Sequence, residues 1–273
     1  MPQTRPARLV TLAAIILLKA LPLAAQASQP EALQDLRAAV DSEFRADRTD
    51  KSIWMYKDRE DSSEKHALYN EIETREGSLR RLIELNGRPL SPDAAKAETD
   101  RINDFIHDPS ARARAHKNAQ HDDAQAAEMM HMLPDAFIWT IASQNPETIT
   151  LNFRPNPKFD PPDMQSRVMG TMGGEVVIVR DGNRIRTLRG ALTEDVKFGY
   201  GLFGRLDRGG TFDIERRQVG DGHWQITESH VHIGGKALLF KTIGQQEDEV
   251  KTDWKPSNSN SLEDAARVLT AQH

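Results

Sequence analysis

Cysteine is absent from this chain of 273 residues. The absence excludes disulfide bonds, a thiol nucleophile and any metal site built on cysteine ligands. The stability of the fold therefore has to come from a buried core. With 38% hydrophobic and 28% charged residues, the chain is long enough to fill one large core, and its composition gives no sign of disorder.

Long apolar runs are also scarce, and none reaches the roughly 20 residues that a membrane-spanning helix needs. The run Leu9–Leu18 follows basic residues and stops at Lys19, and Ala25–Ala27 then supplies the small residues of a signal-peptidase site. We expect residues 1–27 to be a signal peptide cleaved between Ala27 and Ser28. Serine at that point excludes a lipid anchor on cysteine, so we expect a periplasmic or secreted protein without a stable transmembrane anchor.

Positive charge is in deficit once this segment is removed. Cleavage takes away Arg5, Arg8 and Lys19 and no acidic residue, which leaves 33 basic and 41 acidic residues and a formal charge of −8. Binding to phosphates requires an unbroken basic stripe, and the chain has none. We therefore expect no nucleic-acid partner.

Apolar residues with helical spacing follow the cleavage site and predict an amphipathic helix over about 30–45. Three strand-length segments come next, at 53–57, 67–75 and 79–85, and predict a meander. Ser91 and Pro92 then form a helix-start signal. A polar helical insertion over about 92–132 is predicted from there, split in two by Pro109 and solvated in its second half.

Strand patterns resume at 136–142 and 148–153, and a proline-rich loop follows them. Asp181-Gly182 between two alternating segments is a strong hairpin signal. The count reaches ten or eleven strands with short turns, which favours an α+β fold with a strongly curved antiparallel half-barrel covered by the N-terminal helix and the insertion. We expect one domain over 28–256 and a C-terminal tail, 257–273, with a short peripheral helix.

The segment Val196–Trp224 is rich in glycine and aromatic residues. Gly199, Gly201 and Gly204 match a dinucleotide-binding pattern formally, but no helix follows them and no βαβ alternation surrounds them. We interpret these glycines as bends in a curved sheet.

Large apolar residues recur on strands whose alternate positions are polar, and they predict one apolar concave face. Most of this face is expected to be core, but a partly covered concavity becomes a site for lipid or acyl chains. The candidate lining residues are Trp54, Phe137, Trp139, Leu151, Phe153, Phe212, Trp224 and Phe240.

Histidines offer the only metal candidates. His230 and His232 share one face of a strand, and His223 lies just upstream. No His-Glu-x-x-His helix is present, so we favour a structural role for the three and expect no metal or other cofactor.

Two stretches resemble a group of exported bacterial proteins of unknown function: Asn86-Gly-Arg-Pro-Leu-Ser-Pro92 and the Phe198–Trp224 segment. That group is classed with the lipoprotein-sorting, LolA-like proteins of the outer membrane. The resemblance implies an incomplete barrel closed on one side by helices, with an apolar interior that receives acyl chains. It assigns no individual residue, and Glu175–Val179 departs from the Trp-Ile-Asp of the relatives.

The leading hypothesis is thus a non-enzymatic binding or carrier protein for acyl chains of lipids or lipoproteins. The first alternative is an envelope scaffold with a filled core that binds a protein partner. The second is a metal-dependent hydrolase that uses His223, His230 and His232.

Overall fold

The computed structural model describes residues 23–198, 204–220, 222–237 and 241–271. Within these ranges the protein is an α+β fold, with five α-helices and one large antiparallel sheet that does not close. The helices are α1 Leu23–Thr49, α2 Pro92–His107, α3 Pro109–Ala136, α4 Met164–Gly170 and α5 Leu262–Thr270. Ala27 and Ser28, at the expected cleavage point, lie inside α1.

The sheet has 13 strands. They are β1 Trp54–Ser62, β2 His66–Thr74, β3 Gly77–Leu85, β4 Arg88–Pro89, β5 Phe137–Gln144, β6 Thr148–Pro155, β7 Met172–Val179, β8 Arg184–Leu192, β9 Val196–Phe198, β10 Gly204–Leu206, β11 Thr211–Gly220, β12 His223–Ala237 and β13 Lys241–Pro256. Their order is β4-β3-β2-β1-β13-β12-β11-β8-β7-β6-β5, and β9 and β10 branch from β12. The prediction of ten or eleven strands was too low because strands of two or three residues carry no readable alternation.

The apolar stripe of α1 packs on one half of one sheet face. Leu36 and Val40 are buried there against apolar residues of β5–β8 such as Trp139, Leu151 and Ile178. Each such fully buried side chain contributes about 1.5–3 kcal/mol. This cluster is the larger of the two cores, and α1 supplies its outer layer.

A second, smaller cluster covers the opposite sheet face at β2 and β3. The side chains of Ile72 and Leu79 lie on the face opposite α1. They pack against Ile102 of α2 and Leu269 of α5. The C-terminal helix was expected to be peripheral, and this is wrong. Its apolar positions are buried because β2 and β3 present an apolar row that α2 alone does not cover.

The two helical layers lie on opposite faces, as the strand register shows. Directly paired residues share a face, and pairing leads without a break from Leu151 through Leu188 and Ile214 to Glu249 and Glu60. The α1 side of the sheet therefore changes from apolar at β5–β8 to charged at β1, β2 and β13.

Helix α3 connects the two clusters. Its first turn is held by Arg112, which contacts Glu76 and Glu263 at 3.1 and 3.2 Å. Its last turn is anchored by Leu133, which is buried near α1. The 28 residues of α3 span about 42 Å, and those between the two anchors are mostly exposed. The predicted break at Pro109 and the predicted solvated second half are both confirmed.

Strands β7 and β8 approach each other closely where they cross the larger core. A Cβ atom on Gly174 would lie 2.0 Å from the carbonyl oxygen of Arg189, and one on Gly190 would meet Phe212 and Phe153. Only glycine permits this approach of the two backbones. Gly199 and Gly201, expected to bend the sheet, lie outside the described residues.

A buried ion pair fixes α1 to the sheet. Glu43 accepts from Arg184 at 2.9 Å, from the amide of Ile185 at 2.8 Å and from Arg216 at 2.6 Å. Burial alone would raise the pKa of Glu43, but the hydrogen bond from Arg184 and the charge of Arg216 outweigh it and lower that pKa. The carboxylate thus stays ionised under the helix.

We predict that Glu43→Gln lowers the free energy of unfolding by about 3 kcal/mol, because two largely buried guanidinium groups lose their carboxylate. Urea unfolding followed by circular dichroism measures the change. Asp41→Asn, at an exposed position of the same helix, is the matched control and should shift stability by less than about 0.5 kcal/mol. Equal small shifts for both variants would show that Glu43 does not hold α1.

Candidate functional site

A cavity of about 410 Å³ opens at the start of α1. Leu33 of α1, Phe137 and Trp139 of β5 and Phe159 of the proline-rich loop form its apolar wall. Lys158 lies at the same opening with two acidic side chains, Asp135 and Asp160, and two amides, Gln29 and Asn156. The loop reaches this position because its strand ends at Pro155, which has no amide hydrogen to continue the ladder.

Four of the predicted lining residues lie together at this cavity: Phe137 and Trp139 line it, and Leu151 and Phe153 lie behind them. Phe137, Trp139, Leu151 and Phe153 are at most 5% exposed and form one aromatic and aliphatic cluster under α1. The indole nitrogen of Trp139 donates to the carbonyl oxygen of Leu133 at 3.1 Å, which satisfies the only polar atom of that side chain.

The other predicted lining residues are distributed differently. Phe212 is half-buried at the margin of the same cluster. Trp224 is half-buried beside Arg184, whose guanidinium carbon lies 5.8 Å from the ring centre. Trp54 is buried at the far end of the sheet, edge-on to His223, and Phe240 lies outside the described residues.

Charged side chains separate Trp54 from the apolar cluster. Asp58 is only 2% exposed, its Oδ1 atom has no hydrogen-bond partner among the described residues, and Lys251 lies opposite it on β13. Glu73, also on this face, accepts from the amide of Trp54 at 2.9 Å. The α1 side of the sheet is thus divided into an apolar half and an acidic half.

Burial changes the acid–base behaviour of this acidic half. Desolvation and then the charge of Glu249 raise the pKa of Asp58 to about 7. Desolvation, with the charge of Glu71, raises the pKa of Glu73 to about 7. For Lys251 the neighbouring carboxylates outweigh the effect of burial and raise the pKa. Two carboxyl groups therefore titrate near neutral pH.

The three histidines do not converge on one point. His230 Nδ1 and His232 Nε2 both contact Asp248 Oδ1, at 2.6 and 2.9 Å, and the hydrogen bond to Asp248 raises the pKa of His230. His223 is bound separately, through Nδ1 to Asp50 at 2.9 Å. In residues 23–198, 204–220, 222–237 and 241–271, no three His, Cys, Asp or Glu side chains are placed to hold a metal ion.

His230 and His232 border a second, shallower depression of about 730 Å³ on the face opposite α1. Arg189 crosses it and contacts Asp213 at 3.1 Å and Glu215 at 3.6 Å. The charged side chains of this depression are thus largely paired with one another. Sequence reasoning missed this surface because its side chains come from strands that are distant in the chain.

No helix in the described part of the chain is long and apolar enough to cross a membrane. Comparison of the chain with protein-family models, with curated proteins and with solved structures finds no match.

We predict that the protein gains stability as the pH falls from about 8 towards 5. The folded-state pKa of Asp58 and Glu73 is about 7, above the ordinary values of 3.8 and 4.5. As the pH falls, each of these carboxyl groups therefore binds a proton at a higher pH in the folded chain than in the unfolded chain. The stability gained in this way is lost again as the pH rises through about 7. Groups with a lowered pKa, such as Glu43, act in the opposite direction only at more acidic pH.

Thermal unfolding between pH 8 and pH 5 measures this effect. Asp58→Asn should raise the Tm at pH 8 and flatten the profile, while Glu64→Gln, at an exposed position, should leave it unchanged. A profile for Asp58→Asn that is parallel to that of the unaltered protein would contradict the assignment.

Proposed function

We propose that the protein is an exported, non-enzymatic binding or carrier-like protein that holds an acyl chain of a lipid or lipoprotein beneath α1. The cavity of about 410 Å³ between α1, β5 and the proline-rich loop is the observation that carries this proposal. Its volume lies within the range of about 300–1,000 Å³ typical of small-molecule pockets.

The chemistry of the cavity suits an amphiphile. An acyl chain against Leu33, Phe137, Trp139 and Phe159 loses apolar contact with water, which is worth about 25 cal/mol per Å². Lys158 lies at the opening with the carboxylates of Asp135 and Asp160, and its flexible stem allows it to reach the anionic oxygen of a head group. Apolar burial supplies the affinity and Lys158 the orientation.

Helix α1 acts as the lid in this proposal. It covers the residues behind the cavity, Phe153 and Leu151 among them, so a longer chain is accommodated only if α1 moves outward. The contacts that hold α1 include its apolar stripe, the buried Glu43 ion pair and the stacking of Phe44 on His131 of α3, whose ring centres lie 4.0 Å apart. The segment 50–53 connects α1 to β1.

The open sheet supports a half-barrel of the LolA-like kind as the finer description of the fold. Its terminal strands β4 and β5 do not pair with each other, and Gly174 and Gly190 allow β7 and β8 to approach closely. Export fits the same picture, because Ala32, Leu36 and Val40, which α1 buries in the core, all follow the proposed cleavage point. The mature chain would therefore keep the part of α1 that covers the core.

A second candidate function is an envelope scaffold. The burial of Trp139 and Leu151 to 2% exposure or less favours it, because such a core is already filled by the protein itself. The exposed middle of α3 would then bind a protein partner. A metal-dependent hydrolase gains no support, because His223 lies apart from His230 and His232.

We predict saturable binding of the fluorescent fatty acid cis-parinaric acid to the mature chain, residues 28–273, with one site per molecule. Leu33→Trp fills the cavity and should weaken this binding at least about tenfold, equivalent to about 1.4 kcal/mol. Fluorescence titration measures it, and native mass spectrometry confirms the stoichiometry.

Gln34→Trp places the same indole on the exposed side of α1 and should leave binding intact. Absence of saturable binding by the unaltered, cooperatively folded chain would contradict the carrier proposal and leave the scaffold. Equal binding by the two tryptophan variants would show that the acyl chain does not bind in the cavity beside Leu33.

A further inference from the structure

The opening of the cavity beneath α1 carries charges of both signs. Lys158 lies there with two carboxylates, Asp135 and Asp160, beside the apolar wall. A fatty acid would bring one carboxylate to Lys158 and no cation to the two acids. The charges at the opening therefore bear on which head group the ligand carries.

Asn156 fixes the position of these charged residues. Its side-chain amide donates to the carbonyl oxygen of Asp135 at 2.7 Å, and its backbone amide donates to the carbonyl oxygen of Ala136 at 3.0 Å. Its Oδ1 atom accepts from the backbone amide of Lys158 at 3.1 Å. These bonds tie the proline-rich loop to the end of α3, so that loop and helix contribute to the same opening.

The end of α3 favours a bound cation. Its last turn contains Asp135 and no basic residue. The carbonyl groups at the C-terminus of a helix carry partial negative charge, to which this carboxylate adds. Arg37 of α1 reaches Asp135 only at 3.9 Å, and the two side chains are 58% and 77% exposed. A contact of this kind contributes little, which leaves the carboxylate available to a ligand.

The other two charges at the opening are also available. Lys158 and Asp160 are both exposed, and neither forms an ion pair with any residue that the structure describes. In the shallow depression on the opposite face, by contrast, Arg189 already contacts Asp213 and Glu215. The cavity opening thus offers both a cation and carboxylates to one ligand.

We propose that the ligand of this cavity has a zwitterionic head group, in which a primary ammonium faces Asp135 and Asp160 and a phosphate faces Lys158. The inference rests on the acyl-chain function proposed above and names the class of amphiphile. The acyl chain occupies the apolar wall, and the two charges of the head group meet their opposites at the opening.

The oxygen atoms at the opening select a primary over a quaternary ammonium. Carboxylates and side-chain amide oxygens accept hydrogen bonds, and a primary ammonium has N–H groups to donate while a quaternary ammonium has none. Quaternary ammonium groups are recognised instead by exposed aromatic faces. Phe137 and Trp139 are only 4% and 2% exposed, so they offer no such face.

Displacement of cis-parinaric acid from the mature chain, residues 28–273, tests the head group. The competitors are single-chain lipids with one common acyl chain and a phosphoethanolamine, phosphocholine or phosphoglycerol head group. The phosphoethanolamine lipid should bind about fivefold more tightly than either of the others, the most that an exposed ion pair contributes. This preference should largely disappear at about 1 M salt, where the Debye length is about 3 Å.

A variant locates the effect at the opening. Asp160→Asn removes one carboxylate and should reduce the preference for phosphoethanolamine over phosphoglycerol to about twofold or less. Asp104→Asn, at an exposed position of α2, is the matched control and should keep the full preference. The ratio between two lipids is measured on one protein sample, so a general loss of stability does not change it.

Equal displacement by the three lipids would overturn the head-group inference and leave the acyl-chain function standing. An unchanged preference in Asp160→Asn would also overturn it, because the ammonium would then bind elsewhere. If the unaltered mature chain binds neither cis-parinaric acid nor any of the lipids, the acyl-chain function itself fails, and this inference fails with it.

Discussion

The contact between α1 and the sheet is the constraint on which the rest of the structure depends. Without α1, much of the apolar face of β5–β8 would be open to water, because α3 and α4 add only a few residues, such as Leu133 and Val168, to this cluster. The apolar stripe supplies most of the attraction, and Glu43 fixes the position of the helix through Arg184 and Arg216. A buried ion pair of this kind adds little net stability, but any other position of the helix would leave its charges buried without partners.

The division of this sheet face into an apolar and an acidic half follows from the same contact. Helix α1 covers β5–β8, while β1 and β13 carry Asp58, Glu60 and Glu249 on the same side. The acidic half keeps Lys251 as an internal counter-ion. An apolar ligand on this face is therefore confined to the α1 half, where the cavity lies.

Local signals in the sequence predicted the local structure well. Asp181-Gly182 forms the expected hairpin turn, with Gly182 at φ 74°, and Asp108 caps the helix that Pro109 begins. Helix α4 was missed because its capping residue, Asp163, follows a run of prolines that predicts only loop. The placement of helices on opposite faces was also missed, because it depends on register accumulated across the nine strands from β6 to β3.

Only part of the candidate site was predicted, again because local patterns do not show contacts between distant segments of the chain. Phe137, Trp139 and Phe153 lie on two adjacent strands, so alternation alone placed them on one face. The partner of Glu43, Arg184, lies 141 residues away in the chain, and no periodicity connects the two. Likewise, the cavity arises where α1 meets the proline-rich loop around Phe159, and such a meeting has no sequence signature.

The carrier proposal requires that α1 opens from the sheet more readily than the sheet itself unfolds. Native-state hydrogen exchange in increasing urea tests this most directly, since it resolves opening of single elements from global unfolding. The account predicts that amides of α1 between Ala32 and Phe44 exchange through an opening of lower free energy than those of β6 and β7. Exchange of all these amides with one common free energy would contradict it, because α1 would then leave the sheet only when the whole protein unfolds.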